Sequence, residues 1–398
     1  MSSRRRFLQH AVAGLAAFGA GLRQVLAQPG ATVRRFLMES PPGTEATIDG
    51  RRYLYFGGTS YHTLQYHPEV IRAAHEALDR YGIHSSTSRG GFGNTPLYAE
   101  VERMAARFFG TEDAAYLASG YLSNIGALQV LRLRRQFDVI FHDETAHYSI
   151  VDFVHATGTP VHTFAHRDPD DLARKLKAHL KPGQTPLVMT DGVFPVPGEI
   201  APVPDYVRLL EPYRGLLWLD DAHAFGVLGT RGRGTYEHFG LSGDRLLFGG
   251  TLSKALGGYG GIVPTSAAMA QDIRDGHIMN GATMPPSPSA AASLKGMELL
   301  LRHPEWLVNL RENARRLKAG IKRMGFPVQD TDVPVVAFAL KTAADMERVH
   351  AALMDRGVCI QLSHYVGAGP AGVLRIVVFS THTGDQIDRL LRTLQALV

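Results

Sequence analysis

Between residues 114 and 264, short apolar runs of strand type alternate with longer stretches of helical type. The strand-like runs lie at residues 114–118, 139–142, 161–165, 187–191, 216–220, 246–249 and 261–264. This alternation favours a mostly parallel sheet with helices on its faces, because parallel strands need crossover connections. In such open sheets, ligand-binding side chains lie at the carboxyl ends of the strands. We therefore looked for a site among the residues that follow each strand.

Lys254 lies in a glycine-rich run, residues 251–261, which follows one of these strands. An amine there suits an aldehyde cofactor, because lysine anchors pyridoxal phosphate (PLP) as a Schiff base. The hydroxyls of Thr251 and Ser253 can hydrogen-bond the cofactor phosphate, and glycine lets the backbone approach it closely. The same run also fits an ordinary solvated lysine in a loop, so the interpretation depends on partners elsewhere in the chain.

Asp220 ends the strand-like run that precedes this lysine, and His223 follows it three positions later. A carboxylate against the pyridine nitrogen of PLP keeps that nitrogen protonated, which makes the ring an electron sink. The histidine can orient the carboxylate or contact the cofactor. Taken alone, the pair also fits a helix-capping aspartate with a supporting histidine.

Two further strand ends carry candidate cofactor contacts. Ser119 and Gly120 form the turn before a helix predicted over residues 124–135, and the N-terminus of such a helix binds phosphate. His147 follows another strand and is the candidate ring to stack on the pyridine face. A common strand–helix turn and a surface-loop histidine are the alternative interpretations.

Together, and in this order, these elements resemble the α-oxoamine synthase family of fold-type I PLP-dependent enzymes. The resemblance runs from about residue 53 to the C-terminus, with further matches at residues 88–94, 166–168, 226–234, 284–286 and 374–383. It implies an α/β, aspartate aminotransferase-like fold with a mostly parallel sheet. Residues 28–58 would form an N-terminal arm, residues 59–288 a large PLP-binding domain, and residues 289–398 a smaller α/β domain.

The resemblance also implies a role for each candidate residue. The implied catalytic residues are Lys254, His147, Asp220 and His223. The implied PLP-binding residues are Ser119, Gly120, Tyr121, His147, Asp220, His223, Thr251, Ser253, Lys254 and Thr283. Among them, Lys254 would move the α proton, and His223 would lie near the phenolic oxygen of the cofactor. Thr283 or a neighbour would reach the phosphate of a partner subunit, which implies a homodimer with shared sites.

The implied reaction is a decarboxylating condensation of a small amino acid with an acyl thioester of CoA or a carrier protein, which yields an aminoketone. Arg375 would pair with the substrate carboxylate, which a guanidinium binds bidentately, and Thr59 would face the substrate. The chain departs from the family in this region. Thr59 replaces an asparagine, Pro195 replaces a serine expected to hydrogen-bond the cofactor, and residues 363–369 replace an Arg-Pro-Pro segment. A PLP-dependent aminotransferase, lyase or racemase, or a sensor protein of the same fold, therefore stays open.

The first 27 residues differ from the rest of the chain. Residues 3–9 resemble a twin-arginine export motif, and an apolar stretch at 11–22 follows. That stretch is too short to span a bilayer, which takes about 20 residues. The segment predicts either export to the periplasm or, as the alternative, a basic N-terminal helix of a cytoplasmic protein.

The composition excludes several classes of function. Without residues 1–27 the formal charge falls from +5 to +1, because the segment holds four arginines and no acidic residue. The rest of the chain is therefore almost neutral, and its charge predicts no nucleic-acid partner. A single cysteine, Cys359, excludes a disulfide within the chain and a cysteine-rich metal site, and no metal is expected.

Overall fold

The computed structural model of the protein describes residues 36–398. The expected export segment, residues 1–27, and the first part of the expected N-terminal arm lie outside the described residues. Within residues 36–398, each helix is too short or too polar to cross a bilayer.

Thirteen strands are present in the described part of the chain. They are β1 (Glu45–Ile48), β2 (Arg51–Tyr55), β3 (Asp113–Leu117), β4 (Val139–Asp143), β5 (Val161–Phe164), β6 (Pro186–Asp191), β7 (Leu216–Asp220), β8 (Leu246–Thr251), β9 (Gly261–Thr265), β10 (Val335–Phe338), β11 (Val358–Cys359), β12 (Gln361–Ser363) and β13 (Val373–Val377). Seven of them form the central sheet, in the order β3-β9-β8-β7-β6-β4-β5. Only β9 runs antiparallel to its neighbours in this sheet, so the expected mostly parallel α/β architecture is confirmed.

The α-helices cover and connect the strands. They are α1 (Pro68–Tyr81), α2 (Pro96–Phe109), α3 (Gly120–Leu133), α4 (Tyr148–Val154), α5 (Pro169–His179), α6 (Val203–Leu210), α7 (Thr235–His238), α8 (Ala267–Asp275), α9 (His277–Gly281), α10 (Ser287–Arg302), α11 (Glu305–Arg323), α12 (Ala343–Asp355) and α13 (Gly384–Gln395). Local signals explain several of their ends. Helix α2 begins at a proline and ends at Gly110, whose φ of 72° is left-handed, and α13 begins with a capping box of Thr383 and Gln386.

Helix α3 begins earlier than the sequence predicts. The sequence predicts a helix over residues 124–135, whereas the helix starts at Gly120, directly after Ser119 in extended conformation. Its first turn therefore includes Gly120 and Tyr121, and their backbone N–H groups belong to the helix N-terminus. This difference matters for the site, because it places those N–H groups at the carboxyl end of the central sheet.

Two small sheets lie outside the central one. Strands β10, β13 and β12 form an antiparallel sheet, and the N-terminal hairpin of β1 and β2 is extended by β11, which pairs parallel with β2. Backbone hydrogen bonds to the C-terminal strands continue beyond the end of β2. Phe56 donates its N–H to the carbonyl of Cys359 and accepts from the N–H of Val377, both at 2.8 Å. The residues after β2 are thereby fixed against the C-terminal part of the chain.

The largest apolar core lies between the central sheet and its helices, and Trp218 on β7 is fully buried in it. A second buried cluster lies among α11, α12, α13 and the strands β10 and β13, with Leu317, Val349 and Leu390 as members. The expected boundary between residues 288 and 289 stays a prediction.

Candidate functional site

A cavity of about 240 Å³ lies at the carboxyl ends of β6, β7 and β8. It brings together most of the residues that the sequence predicts for PLP: Ser119, Gly120, Tyr121, His147, Asp220, His223, Thr251, Ser253 and Lys254. Arg375, Thr59 and Thr283 do not line this cavity. Asp191 and Ser149 do, although the sequence analysis did not select them.

Lys254 is the amine of this cavity. Within residues 36–398, its Nζ atom has neither a hydrogen bond nor an ion pair, although Asp220 and Asp191 lie close enough to act on it electrostatically. Burial lowers the pKa of Lys254, and the attraction of the two carboxyl groups only partly opposes this effect. A lowered pKa increases the share of the neutral amine, which is the form that attacks an aldehyde.

Two carboxyl groups face the cavity from neighbouring strands, since Asp191 of β6 and Asp220 of β7 are paired in register. Asp220 accepts hydrogen bonds from Asn124 Nδ2 at 2.8 Å and from the N–H of Ala222 at 3.1 Å. Asp191 accepts the N–H of His147 at 2.8 Å. Burial, followed by repulsion from Asp220, raises the pKa of Asp191 well above its ordinary value. Burial thus favours the neutral form of Asp191, and Asp220, which accepts two hydrogen bonds, is the candidate carboxylate for a pyridinium.

The orientation of Asn124 is fixed by Trp218, whose indole N–H is only a donor and reaches Asn124 Oδ1 at 2.7 Å. The amide nitrogen of Asn124 therefore points towards Asp220 and towards Ser149 Oγ, which it contacts at 2.8 Å. Since Ser149 Oγ accepts from Asn124, its own proton is available for the next partner. That partner is His147 Nδ1, at 2.6 Å.

His147 is held in one tautomer by these contacts. Its Nδ1 atom also accepts the N–H of Ser149 at 3.1 Å, where His147 caps α4. Burial lowers the pKa of His147, so the neutral ring is favoured and its proton is on Nε2. Nε2 lies 2.8 Å from the hydroxyl of Tyr365. A continuous chain of hydrogen bonds thus connects Asp220 with a tyrosine from the loop between β12 and β13.

His223 is oriented by a hydrogen bond from a distant part of the chain. Its Nδ1 atom lies 2.8 Å from the hydroxyl of the buried Tyr61, and the charge of Arg375 acts on Tyr61 electrostatically. The hydroxyl of Tyr61 can donate to Nδ1 of a neutral imidazole, which then carries its own proton on Nε2. Burial, and then the charges of Lys254 and Arg375, lower the pKa of His223 well below its ordinary value. The neutral form of the ring is therefore favoured.

A candidate phosphate cradle lies at the N-terminus of α3. Ser119 makes no side-chain capping bond, so the first-turn N–H groups of Gly120 and Tyr121 stay available for a ligand. The hydroxyls of Thr251 and Ser253 lie 2.8 Å apart beside this helix end. A Cβ atom at Gly120 would lie 2.4 Å from the Thr251 Cβ atom, so only glycine permits this approach. Hydroxyls and open N–H groups are the donors that a phosphate needs.

Arg375 is buried, with 4% of its surface exposed. Its Nε donates to the carbonyl of Pro195 at 2.9 Å, and its Nη1 donates to the carbonyl of Gly58 at 3.1 Å and to Gln361 Oε1 at 3.3 Å. Pro195 thus helps to hold Arg375 in place through its carbonyl oxygen, and this role requires no N–H group. The pairing of Arg375 with a substrate carboxylate stays a prediction.

Thr59 is half-buried in the bend that follows β2, beside Gly58. Thr283 forms an isolated antiparallel bridge with Ser88. The single chain thus does not bring Thr283 to the cavity, and its expected contact with a partner subunit stays a prediction.

The donor set of the cavity fits PLP. An amine without an ion pair can hold the aldehyde, a carboxylate can face the ring nitrogen, and two neutral imidazoles can contact the ring and its substituents. The phosphate would lie on the N-terminus of α3, against the hydroxyls of Thr251 and Ser253.

The residues that sequence reasoning missed fall into two groups. Asp191 ends β6, so the rule that selected Asp220 could have selected it as well. Tyr61 and Tyr365 reach the two histidines from 162 and 218 positions away, and no local pattern indicates either contact.

Comparison with known proteins agrees with this geometry. Residues 53–394 match the family described as aminotransferase class I and II. The sequence is 33% identical over 362 residues to 8-amino-7-oxononanoate synthase 1 of Bacillus velezensis, covering 90% of this chain and 92% of that protein. It is 34% identical over 355 residues to serine palmitoyltransferase of Sphingobacterium spiritivorum, covering 88% of each chain.

A solved structure shows the same fold. Serine palmitoyltransferase from S. paucimobilis, with a bound PLP–myriocin aldimine, superposes with a TM-score of 0.84 at 27% identity. The match covers 100% of this chain and 98% of that one. The expected fold-type I architecture is therefore confirmed.

Proposed function

The chain belongs to the aminotransferase class I and II family, and we propose that its cavity performs the condensation of a small amino acid with an acyl thioester. It is a PLP-dependent acyltransferase similar to the α-oxoamine synthases. The observation that supports the proposal most directly is the placement of Lys254. Its amine has no ion pair within residues 36–398, and it shares a cavity with Asp220 and with the phosphate cradle.

When bound, PLP supplies an electron sink for a carbanion at the α carbon of the amino acid. The residues of the cavity would bind the cofactor, orient it and move the proton of the substrate. Lys254 would hold the cofactor aldehyde through its amine and, once the amino acid is bound, would accept its α proton. The lowered pKa of Lys254 suits both steps, because each requires the neutral amine. Asp220 retains a proton on the ring nitrogen.

The two histidines have separate tasks. His147 would cover one face of the ring, and the hydrogen bonds to its Nδ1 atom leave the proton on Nε2, which faces the hydroxyl of Tyr365. His223 would contact the phenolic oxygen of the cofactor through Nε2. Because Pro195 has neither a side-chain donor nor a backbone N–H group, His223 is the donor proposed for that oxygen.

The remaining roles are proposals as well. Ser119, Gly120, Tyr121 and the hydroxyls of Thr251 and Ser253 bind the phosphate. Thr283 of each subunit reaches the phosphate of the other, so the active form is a homodimer. Arg375 and Thr59 contribute to binding of the amino acid.

The proposal is tested with the purified, PLP-loaded protein. Glycine, alanine and serine are titrated while the visible absorbance of the cofactor is followed, and acyl-CoA thioesters of increasing length are then added while free thiol is measured. We expect one amino acid to change the spectrum and to consume a thioester. A Lys254→Ala variant should lose the reaction, whereas a Lys177→Ala variant on the exposed face of α5 should retain it.

Two results would contradict the proposal. If no thioester is consumed with any of the three amino acids, the condensation is wrong. If an amino acid converts the cofactor to its amine form without any thioester, an aminotransferase is favoured instead.

A further inference from the structure

Tyr365 lies on the glycine-rich loop 364–372, between β12 and β13, and has no role in the scheme above. The loop holds it firmly, because its N–H donates to Ser363 Oγ at 3.4 Å and its carbonyl accepts the N–H of Ala368 at 2.9 Å. Its ring meets the ring of Tyr148 edge-on, with the centroids 5.1 Å apart. Tyr365 therefore has a defined place beside the cavity, with 40% of its surface exposed.

The direction of the hydrogen bond between Tyr365 and His147 follows from the atoms behind it. His147 Nδ1 is an acceptor, so Nε2 carries the proton and donates it to the phenol oxygen at 2.8 Å. The hydroxyl proton of Tyr365 is therefore not used in this contact. Within residues 36–398 that hydroxyl has no second hydrogen-bond partner, so it is an oriented donor without an acceptor.

We propose that Tyr365 is a substrate-binding residue, and that its hydroxyl donates to the carboxylate of the amino acid bound in the cavity. This inference rests on the proposed function, because it assumes that an amino acid takes the place of the Lys254 amine. The carboxylate of such a substrate is attached to the same carbon as its amine, so it must lie within a few bonds of the position that Lys254 occupies.

The electrostatic surroundings favour a neutral donor in this place. Asp191 and Asp220 lie near enough to act on Tyr365, and burial together with Tyr148 and these carboxyl groups raises the pKa of Tyr365 to about 12. The phenol therefore keeps its proton at every pH at which the enzyme is expected to work. Arg375 is buried, does not line the cavity, and donates to the carbonyl oxygens of Pro195 and Gly58. A carboxylate in the cavity thus needs a further donor, and Tyr365 supplies it.

The test compares each amino acid with the amine that lacks its carboxylate: glycine with methylamine, alanine with ethylamine, and serine with ethanolamine. Binding to the PLP-loaded enzyme is measured from the absorbance of the cofactor, for the wild type, Tyr365→Phe and Tyr148→Phe. The second variant is the matched control, since it removes an exposed hydroxyl from the other ring of the same edge-on pair. Retention of PLP and circular dichroism check that each variant is folded.

We expect Tyr365→Phe to weaken binding of the responding amino acid by about tenfold or more, the usual effect of losing a hydrogen bond to a charged group. Binding of the matching amine should stay unchanged, and Tyr148→Phe should alter neither ligand. Equal weakening of amino acid and amine, or no weakening of either, would overturn the role of Tyr365 and leave the proposed function intact. A wild-type enzyme that responds to none of the amino acids would instead overturn the proposed function, and this inference with it.

Discussion

His166 offers a sharp test of the electrostatics around the site. Its ring lies between Asp143 Oδ1, at 3.1 Å from Nδ1, and Glu199 Oε2, at 2.8 Å from Nε2. Burial lowers the pKa of His166, but the hydrogen bonds and charges of the two carboxylates outweigh it and raise that pKa to about 9. Glu199 belongs to the turn that contains Pro195, since it accepts the N–H of Phe194. The ion pair of His166 with Glu199 thereby supports the turn in which the carbonyl of Pro195 accepts from Arg375.

The magnitude follows from the difference between the folded and the ordinary pKa. A rise from 6.5 to about 9 corresponds to roughly 3 kcal/mol of folding free energy, because a tenfold change in proton affinity is worth about 1.4 kcal/mol. The folded pKa lies above the unfolded one, so the stabilisation is complete below 6.5 and is lost as the pH rises through about 9.

The perturbation is His166→Gln, which keeps a hydrogen-bonding group and removes the charge. Urea unfolding of the PLP-loaded protein, at one fixed protein concentration, should show a loss of roughly 3 kcal/mol at about pH 6 that shrinks towards zero above about pH 9.5. His75→Gln, on an exposed position of α1, is the control and should leave stability unchanged at both pH values. If the loss of stability caused by His166→Gln does not depend on pH, the claim that a protonated His166 lies between Asp143 and Glu199 is refuted.

Three further substitutions probe the cavity. Asp220→Asn should keep PLP bound but reduce kcat by roughly a hundredfold or more, because the carboxylate that holds the proton of the ring nitrogen is lost; steady-state thioester consumption measures this. Gly120→Ala places a carbon 2.4 Å from a side-chain carbon of β8 and should weaken PLP retention in dialysis, whereas Gly281→Ala, which has open space, should not. Tyr61→Phe removes the hydrogen bond between this residue and His223 Nδ1 and should lower the unfolding free energy by about 1–3 kcal/mol in urea titrations; no loss would contradict a stabilising role of that bond.

The central sheet could be predicted because its strands are buried on both faces. Strands such as β6 and β7 are continuous apolar runs in the sequence, and burial on both faces produces that pattern. Strand β2 has no such signal, because it begins with two exposed arginines and owes its position to β1 and β11. The three residues of β12 are likewise a strand only through their pairing with β13.

The residues of the site likewise fall into those that the sequence predicts and those that it does not. Lys254 and Asp220 each follow a strand of the central sheet, so the topology alone indicates that they converge. The far sides of His147 and His223 are contacted by Tyr365 and Tyr61, which come from distant loops. Spacing along the chain contains no information about such contacts, because tertiary packing alone creates them.

The parallel pairing of β2 with β11 has a consequence for the order of assembly. Gly58 and Arg375, whose hydrogen bond lies just beyond this pairing, are 317 positions apart in the chain. Contacts of such high contact order form late, because a long loop must close before they contribute any stability. During synthesis the central sheet and the phosphate cradle can form first. At that stage the segment that contains Tyr61 still lacks its C-terminal neighbours, because the last strands have not yet left the ribosome. The enzyme would thus acquire a place for its cofactor before it acquires the hydrogen bonds that orient His223, so catalytic competence marks the completion of the whole chain.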